Sequence, residues 1–262
     1  MSNDDFVLLR VDGTLARITL NRPRSLNVLD ERMGRELAEA LHQVERTSTI
    51  KVLVIDGAGR SFMGGGDLNV FNTDLERAPE SASRLIDLFH QSIRCIRRMP
   101  IPVIASIQGQ VAGGGVGLAL ACDLIIAATD TKLVPAYGRI GASPDGATSW
   151  SLTQLLGPRR AMEVLMLGDP IGADQSLSLG LVNRVVARQE LASATEVLAN
   201  RLAGGPRVAL ANMKRLVQQA QTSDLDVHLE AERNCFVAAA ATTDFREGVT
   251  AFFAGREPTF DS

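Results

Sequence analysis

Cysteine is scarce in this chain and scattered. Cys95, Cys122 and Cys235 are the only three, and without C-x-x-C spacing they indicate neither a disulfide framework nor a zinc cluster. Two of them lie in apolar stretches, where a reduced, buried thiol is ordinary, so a reducing compartment is expected. No apolar run reaches the length of a membrane span. Ser2, Asn3, Asp4 and Asp5 stand where a signal peptide would carry its basic and apolar regions, and the expectation is a cytoplasmic protein. Positive charge is not in excess either. Lys and Arg number 27 against 30 Asp and Glu, for a net charge of -3, which leaves no basic field for nucleic acid and no polybasic arm for lipid. A phosphate loop of the form G-x-x-x-x-G-K-[ST], a G-x-S-x-G elbow and an H-E-x-x-H pair are all missing, so P-loop, serine-hydrolase and zinc chemistry lose their support. No metal site is expected.

What remains is a composition suited to a packed core, 45% apolar and 22% charged. At 262 residues one main α/β domain with a short appendage is the default. Strand formers at Phe6–Arg10 and Thr14–Leu20 flank a turn at Val11, Asp12 and Gly13, which predicts a hairpin. Asp30 occupies an N-cap position before Met33, Leu37, Leu41 and Val44 at helical spacing. A buried strand at Val52–Ile55, a helix around Ala82–Arg98 and a strand at Val103–Ile107 follow. Then a short helix opens at Gly113–Gly115, and Leu124–Ala127 forms another strand. After Gly204, Gly205 and Pro206 only helical patterns remain, so residues 1–203 are read as the core and 204–262 as a helical segment. With apolar positions and no sheet of its own, that segment needs a partner surface.

Two glycine clusters follow strands, Ser61-Phe62-Met63-Gly64-Gly65-Gly66-Asp67-Leu68 and Gln108-Gly109-Gln110-Val111-Ala112-Gly113-Gly114-Gly115. Glycine there lets the backbone approach a ligand with its N–H unobstructed. Two such amides converging on one oxygen would make an oxyanion hole, reinforced if Gly114 opens a helix. The plainer reading is that glycines serve tight turns and close packing.

The motifs N-R-P-x-x-L-N at Asn21–Asn27, S-F-M-G-G-G-D-L at Ser61–Leu68, P-x-P-V-I-A-x-I-x-G from Pro100 and A-G-G-G-x-x-L-A-x-x-C-D at Ala112–Asp123 occur in this order. Together they resemble the crotonase (enoyl-CoA hydratase/isomerase) superfamily. The likeness continues through Leu156–Met162 and Gly180–Val182 to Glu247, Gly248 and Phe252. It implies a crotonase-like spiral of β-β-α turns with a C-terminal helical trimerisation segment, in trimers or pairs of trimers. It also implies an acyl-CoA substrate, with coenzyme A entering as part of that substrate and no resident cofactor. Gly66 and Gly114 would supply the oxyanion amides. Arg24, Leu26, Gly64 and Leu68 match positions that hold coenzyme A, and Phe252 would reach a neighbour's ligand. Gly255 departs from the pattern, since related hydratases carry a lysine there, and Arg256 beside it is the candidate substitute.

The glutamate pair of family hydratases falls on Gly117 and Tyr137, so simple hydration is not favoured. Asp145, in Ser143-Pro144-Asp145-Gly146, resembles the catalytic aspartate of phenylacetate-type enoyl-CoA isomerases and of 4-chlorobenzoyl-CoA dehalogenases. In the first it shuttles a proton; in the second it is the nucleophile. The competing reading makes Asp145 a first-turn acid of a helix capped by Ser143 with Pro144 at its first position. His90 matches a histidine that assists hydrolysis in the dehalogenases, though a histidine on an amphipathic helix is commonly just packed. Tyr137 either donates a hydrogen bond to substrate or lines the acyl pocket, and Trp150 is read as core. Asp123, Glu163 and Glu232 are read as surface or structural acids. The resulting expectation is an enoyl-CoA isomerase with one carboxylate. A dehalogenase-like or hydrolytic enzyme, a hydratase, and a non-catalytic acyl-CoA-binding or RNA-associated protein are the alternatives.

Overall fold

The computed structural model describes residues 5–260. Strands β1 (Val7–Asp12) and β2 (Leu15–Leu20) pair antiparallel, with β1 running through the expected turn so that the reversal falls on Gly13 and Thr14. Helix α1 (Glu31–Arg46) starts where Asp30 accepts a hydrogen bond from the Met33 amide at 2.8 Å, relieving one of the orphan donors of the first turn. It buries Met33, Leu37, Leu41 and Val44 along one face. Next come β3 (Val52–Gly57), the short α2 (Asn69–Asn72) and α3 (Ala78–Arg98). The last begins four residues before the expected start, with proline in its first turn.

Strands β4 (Val103–Ile107) and β5 (Gln110–Ala112) lead into α4 (Gly114–Ala121). Strands β6 (Leu124–Ala128) and β7 (Lys132–Val134) lead towards α5 (Thr148–Leu167). The strands in these turns go to two sheets. One is ordered β1-β2-β3-β4-β6-β9, where β9 is Arg184–Val186; the other is β5-β7-β8, where β8 is Ile171–Gly172. After β3, Met63 bridges to Val111 of β5 in parallel, so three successive turns each lay one segment in each sheet before a helix. This is the spiral of β-β-α turns.

In the large sheet every pairing beyond the first is parallel, and β3 and β4 read as continuous apolar runs because both faces are covered. Leu53 and Ile55 point into the main core, whereas Val52, Val54 and Ile104 meet Ala199 of α7 (Leu191–Ala203), which follows the short α6 (Ala173–Ser178). Beyond Gly204–Pro206 run α8 (Arg207–Ala220), α9 (Leu225–Ala240) and α10 (Thr243–Ala254). These three helices bury only Cys235, Asp244 and Ala251, while Met213, Val217, Phe236, Phe252 and Phe253 face outward.

One buried ion pair ties α8 to the core. Lys214 Nζ lies 2.8 Å from Asp123 and also donates to the carbonyls of Ile96 and Ile101. Asp123 in turn accepts from the Val103 amide at the head of β4. Burial pushes the Asp123 carboxyl above its ordinary range even with the lysine against it. Asp123 is thus structural, as its sequence context suggested. Lys214→Met leaves that carboxylate and two carbonyls without their partner, and is expected to cost about 3 to 5 kcal/mol in urea denaturation. An unchanged midpoint would show the pair to be dispensable.

Candidate active site

The glycine turns are held by polar pins that sequence reading passed over. Asn27, fully buried and left-handed at φ 55°, sends its amide to the carbonyls of Ala58, Ser61 and Phe62 and accepts from the Arg22 amide at 2.8 Å. Gln108 donates to Gly57 O from the other side. Gln108 opens the second glycine motif, but Asn27 lies far along the chain from the turn it holds, and each alone is hard to tell from ordinary turn chemistry. The two turns then meet. Gly64 N donates to Leu26 O at 2.7 Å and Ala112 N to Met63 O at 2.9 Å. A Cβ on Gly65 would stand 3.0 Å from Ala112 O and 3.7 Å from the Cα of Gly113, and both glycines have positive φ. Next to this contact lie Gly66, with open space around it, and Gly114, the first residue of α4. Among the described residues neither amide donates to a protein acceptor.

Asp145 reaches the same place from the loop between β7 and α5. Its Oδ1 would lie 3.4 Å from a Cβ on Gly114 and accepts a 2.7 Å hydrogen bond from the buried Tyr137 hydroxyl. Tyr137 also sits 3.0 Å from Thr148 Oγ1. Burial, joined by the charge of Asp145, raises the Tyr137 phenol well above its usual value, so it stays protonated and donates. The helix of the competing reading, capped by Ser143, does not begin there. Gly146 (φ 55°) and Ala147 (φ 61°) are both left-handed, which breaks the helical path, and α5 starts only at Thr148. Asp145 is consequently a loop residue outside the first turn. Trp150 changes place with it: rather than core, it lies 38% exposed on the outer side of the first turn, with the Arg97 guanidinium 4.5 Å from its ring centroid.

Gly117, at the first hydratase glutamate position, has no room for a side chain. Its Cβ would come 2.4 Å from Gly146 O and 2.8 Å from Thr148 Oγ1. The loop that brings Asp145 in has filled the space another carboxylate would need. His90 is nearby on α3, half-buried, and its Nε2 accepts the Gly146 amide at 3.2 Å.

Of the expected coenzyme positions, the structure brings Leu26 and Gly64 into contact, since a Cβ on Gly64 would be 3.2 Å from that of Leu26. Arg24 is exposed two residues before Leu26, and Leu68 is half exposed at the end of the Gly66 loop. Phe252 is not part of this group within one chain. It lines an apolar groove on the C-terminal helices with Pro206, Phe245, Val249 and Phe260. Gly255 caps α10 at φ 63°, a conformation that disfavours lysine. Arg256 is engaged by Glu247 through bonds of 2.6 and 2.8 Å that hold that carboxyl down to about 2.

Folding also assembles one cluster of metal-ligand type that spacing along the chain did not reveal, His42 and Glu45 of α1 with Cys95 of α3, their ligand atoms within 4.8 Å. Arg98 already takes both Glu45 oxygens at 2.8 and 3.0 Å, and burial pushes the Cys95 thiol up to about 11. An occupied carboxylate and a protonated thiol make this an inter-helix contact.

Comparison with known proteins agrees with this architecture. Residues 10–262 match the enoyl-CoA hydratase/isomerase family. The chain belongs to that family. It is 38% identical to the 1,2-epoxyphenylacetyl-CoA isomerase of Escherichia coli, with 98% of each chain covered. It is 29% identical to 4-chlorobenzoyl coenzyme A dehalogenase-2 of an Arthrobacter species, over 96% of this chain and 91% of that one. A solved enoyl-CoA hydratase from Polaromonas sp. JS666 superposes with a TM-score of 0.93 at 35% identity, covering 97% and 99% of the two chains. The protein is therefore an α/β enzyme of the enoyl-CoA hydratase/isomerase family with the crotonase fold and a helical C-terminal region. Among the described residues no helix is long and apolar enough to cross a membrane.

Proposed function

We propose that the chain isomerises an enoyl-CoA thioester, moving its double bond through an enolate. The observation that carries this reading is the single carboxylate. Asp145 stands beside Gly114, while Gly117, closed by Gly146 O, and Tyr137 occupy the two positions where hydratases keep glutamates. Hydration needs water to be activated and its two parts delivered to different carbons; a double-bond shift needs one proton moved, and one base suffices. The thioester oxygen lies between the N–H groups of Gly66 and Gly114, the latter at the positive end of α4, and among the described residues both amides are free of protein acceptors. Asp145 takes a proton from the carbon alpha or gamma to the carbonyl and returns it at the other end of the dienolate. Tyr137 holds that carboxylate in one orientation.

The same reading assigns Arg24, Leu26, Gly64 and Leu68 to the coenzyme portion of the substrate. The outward apolar faces of α8, α9 and α10 become the surface of a trimer, or a pair of trimers, in which Phe252 approaches a neighbouring site. Residues 204–262 thus serve as the oligomerisation segment of a core spanning 1–203, with the cytoplasm as its compartment. The isomerase named among the relatives at 38% identity supports this direction.

A dehalogenase-like mechanism, with Asp145 as nucleophile and His90 activating water, is disfavoured by one bond. Because the Gly146 N–H donates to His90 Nε2, that nitrogen has no lone pair left for a water proton. Purified protein incubated separately with a 3-enoyl-CoA, a 2-enoyl-CoA and a 4-halobenzoyl-CoA is expected to bring the two enoyl esters to the same equilibrium by bond migration, without adding water, and to leave the halobenzoyl ester unchanged. Halide release with an arylated Asp145, the carboxylate oxygen having replaced halogen on the ring carbon, would replace this reading with the dehalogenase.

A further inference from the structure

The Phe89–His90 pair of α3 is wedged between the two parts of the candidate site. A Cβ on Gly114 would meet Phe89 Cε1 at 3.1 Å, and one on Gly146 would meet the same atom at 2.3 Å. Phe89, 1% exposed, therefore spaces the Asp145 loop from the start of α4. Packing alone does not orient that loop. Gly146 and Ala147 are consecutive left-handed residues, and for the alanine this conformation is unfavourable. The peptide joining Asp145 to Gly146 has its carbonyl held by the Thr148 amide at 2.9 Å, and its N–H is the end that must find an acceptor outside the loop. Among the described residues the one hydrogen bond that N–H makes is to His90 Nε2, at 3.2 Å.

We infer that His90 is a positioning residue: its Nε2 is a fixed acceptor that, opposite the Thr148 amide on the carbonyl, locks the Asp145–Gly146 peptide and so keeps the carboxylate on Tyr137 beside Gly114. A backbone N–H donates and never accepts, so the ring is the neutral tautomer with its proton on Nδ1. His90 works through the loop and takes no proton from water or substrate. This goes beyond the isomerase reading and rests on it only for the activity measurement.

The distinguishing variants are His90→Gln, whose Oε1 takes the place of Nε2, and His90→Phe and His90→Leu, which fill the space without an acceptor. His90→Gln is expected to keep kcat within about threefold of wild type. The two acceptor-free variants are expected to lose about 10- to 100-fold in kcat, with KM for the CoA ester within about twofold, because a mis-aimed carboxylate slows chemistry and leaves binding alone. Hydrogen exchange of the segment spanning 143–149 gives a readout independent of any reaction. The Gly146 amide should stay protected in wild type and His90→Gln and exchange faster in the Phe and Leu variants. If His90→Gln is as impaired as His90→Phe, the ring acts by proton transfer and the inference fails. If Gly146 remains equally protected without an acceptor at position 90, it fails even where activity falls. Should no enoyl-CoA be turned over at all, the exchange result still decides the role of His90 separately from the isomerase reading.

Discussion

Gly114→Pro should lower turnover about 100- to 1,000-fold relative to Gly114→Ala, the range seen when one oxyanion donor is lost. The comparison controls for the added Cβ, which both variants carry. That Cβ is tight for each, at 3.1 Å from Phe89 Cε1 and 3.4 Å from Asp145 Oδ1, so alanine itself will be slower than wild type. Gly114 is the first residue of α4, where proline is tolerated because its missing N–H has no helical acceptor to lose. The helix start should survive, while the donor is lost and the ring Cδ takes the place of its hydrogen on the oxyanion side. Equal rates for the two variants would remove Gly114 from the oxyanion site, and Gly66 with it, since one amide does not make the hole.

Asp145→Asn should cost about 100- to 10,000-fold in kcat, the usual contribution of a positioned acid or base, with CoA-ester binding retained. Asparagine keeps the size, and its Oδ1 can still accept from the Tyr137 hydroxyl now 2.7 Å from Asp145. The loop held at Gly146 should therefore not move. A variant that also lost CoA-ester affinity would point to a role for the carboxylate in binding and weaken the proton-shuttle account.

The parts of this structure that were legible in the sequence are those set by local chemistry. Asp30 read as a cap and is one; the apolar spacing of Met33, Leu37, Leu41 and Val44 read as a buried helix face and is one. The two glycine clusters were visible because glycine after a strand is a backbone statement. Asp145 stood out only through its resemblance to known isomerases and dehalogenases. Its local text pointed to a first-turn acid, since nothing in Ser143-Pro144-Asp145 announces that the next two residues turn left-handed. Tyr137 reads as a donor to substrate or a wall of the acyl pocket, and its bond to Asp145 is a contact its type does not announce. Asn27 under the glycine loop, His90 on Gly146, and Lys214 with Asp123 were hidden for a different reason. Each bond joins residues 30 or more positions apart, and the type of residue carries no address for its partner.

The central claim is that one carboxylate moves one proton across a dienolate. It is tested most directly by proton and deuterium NMR of a 3-enoyl-CoA converted in deuterated water, with wild type and Asp145→Asn side by side. Wild type is predicted to give the 2-enoyl-CoA with part of the original hydrogen carried to the gamma carbon, because the acid that returns the proton is the base that removed it. The variant is predicted to leave both the double bond and the alpha hydrogens untouched over the same interval. Bond migration at the wild-type rate without Asp145 would contradict the account.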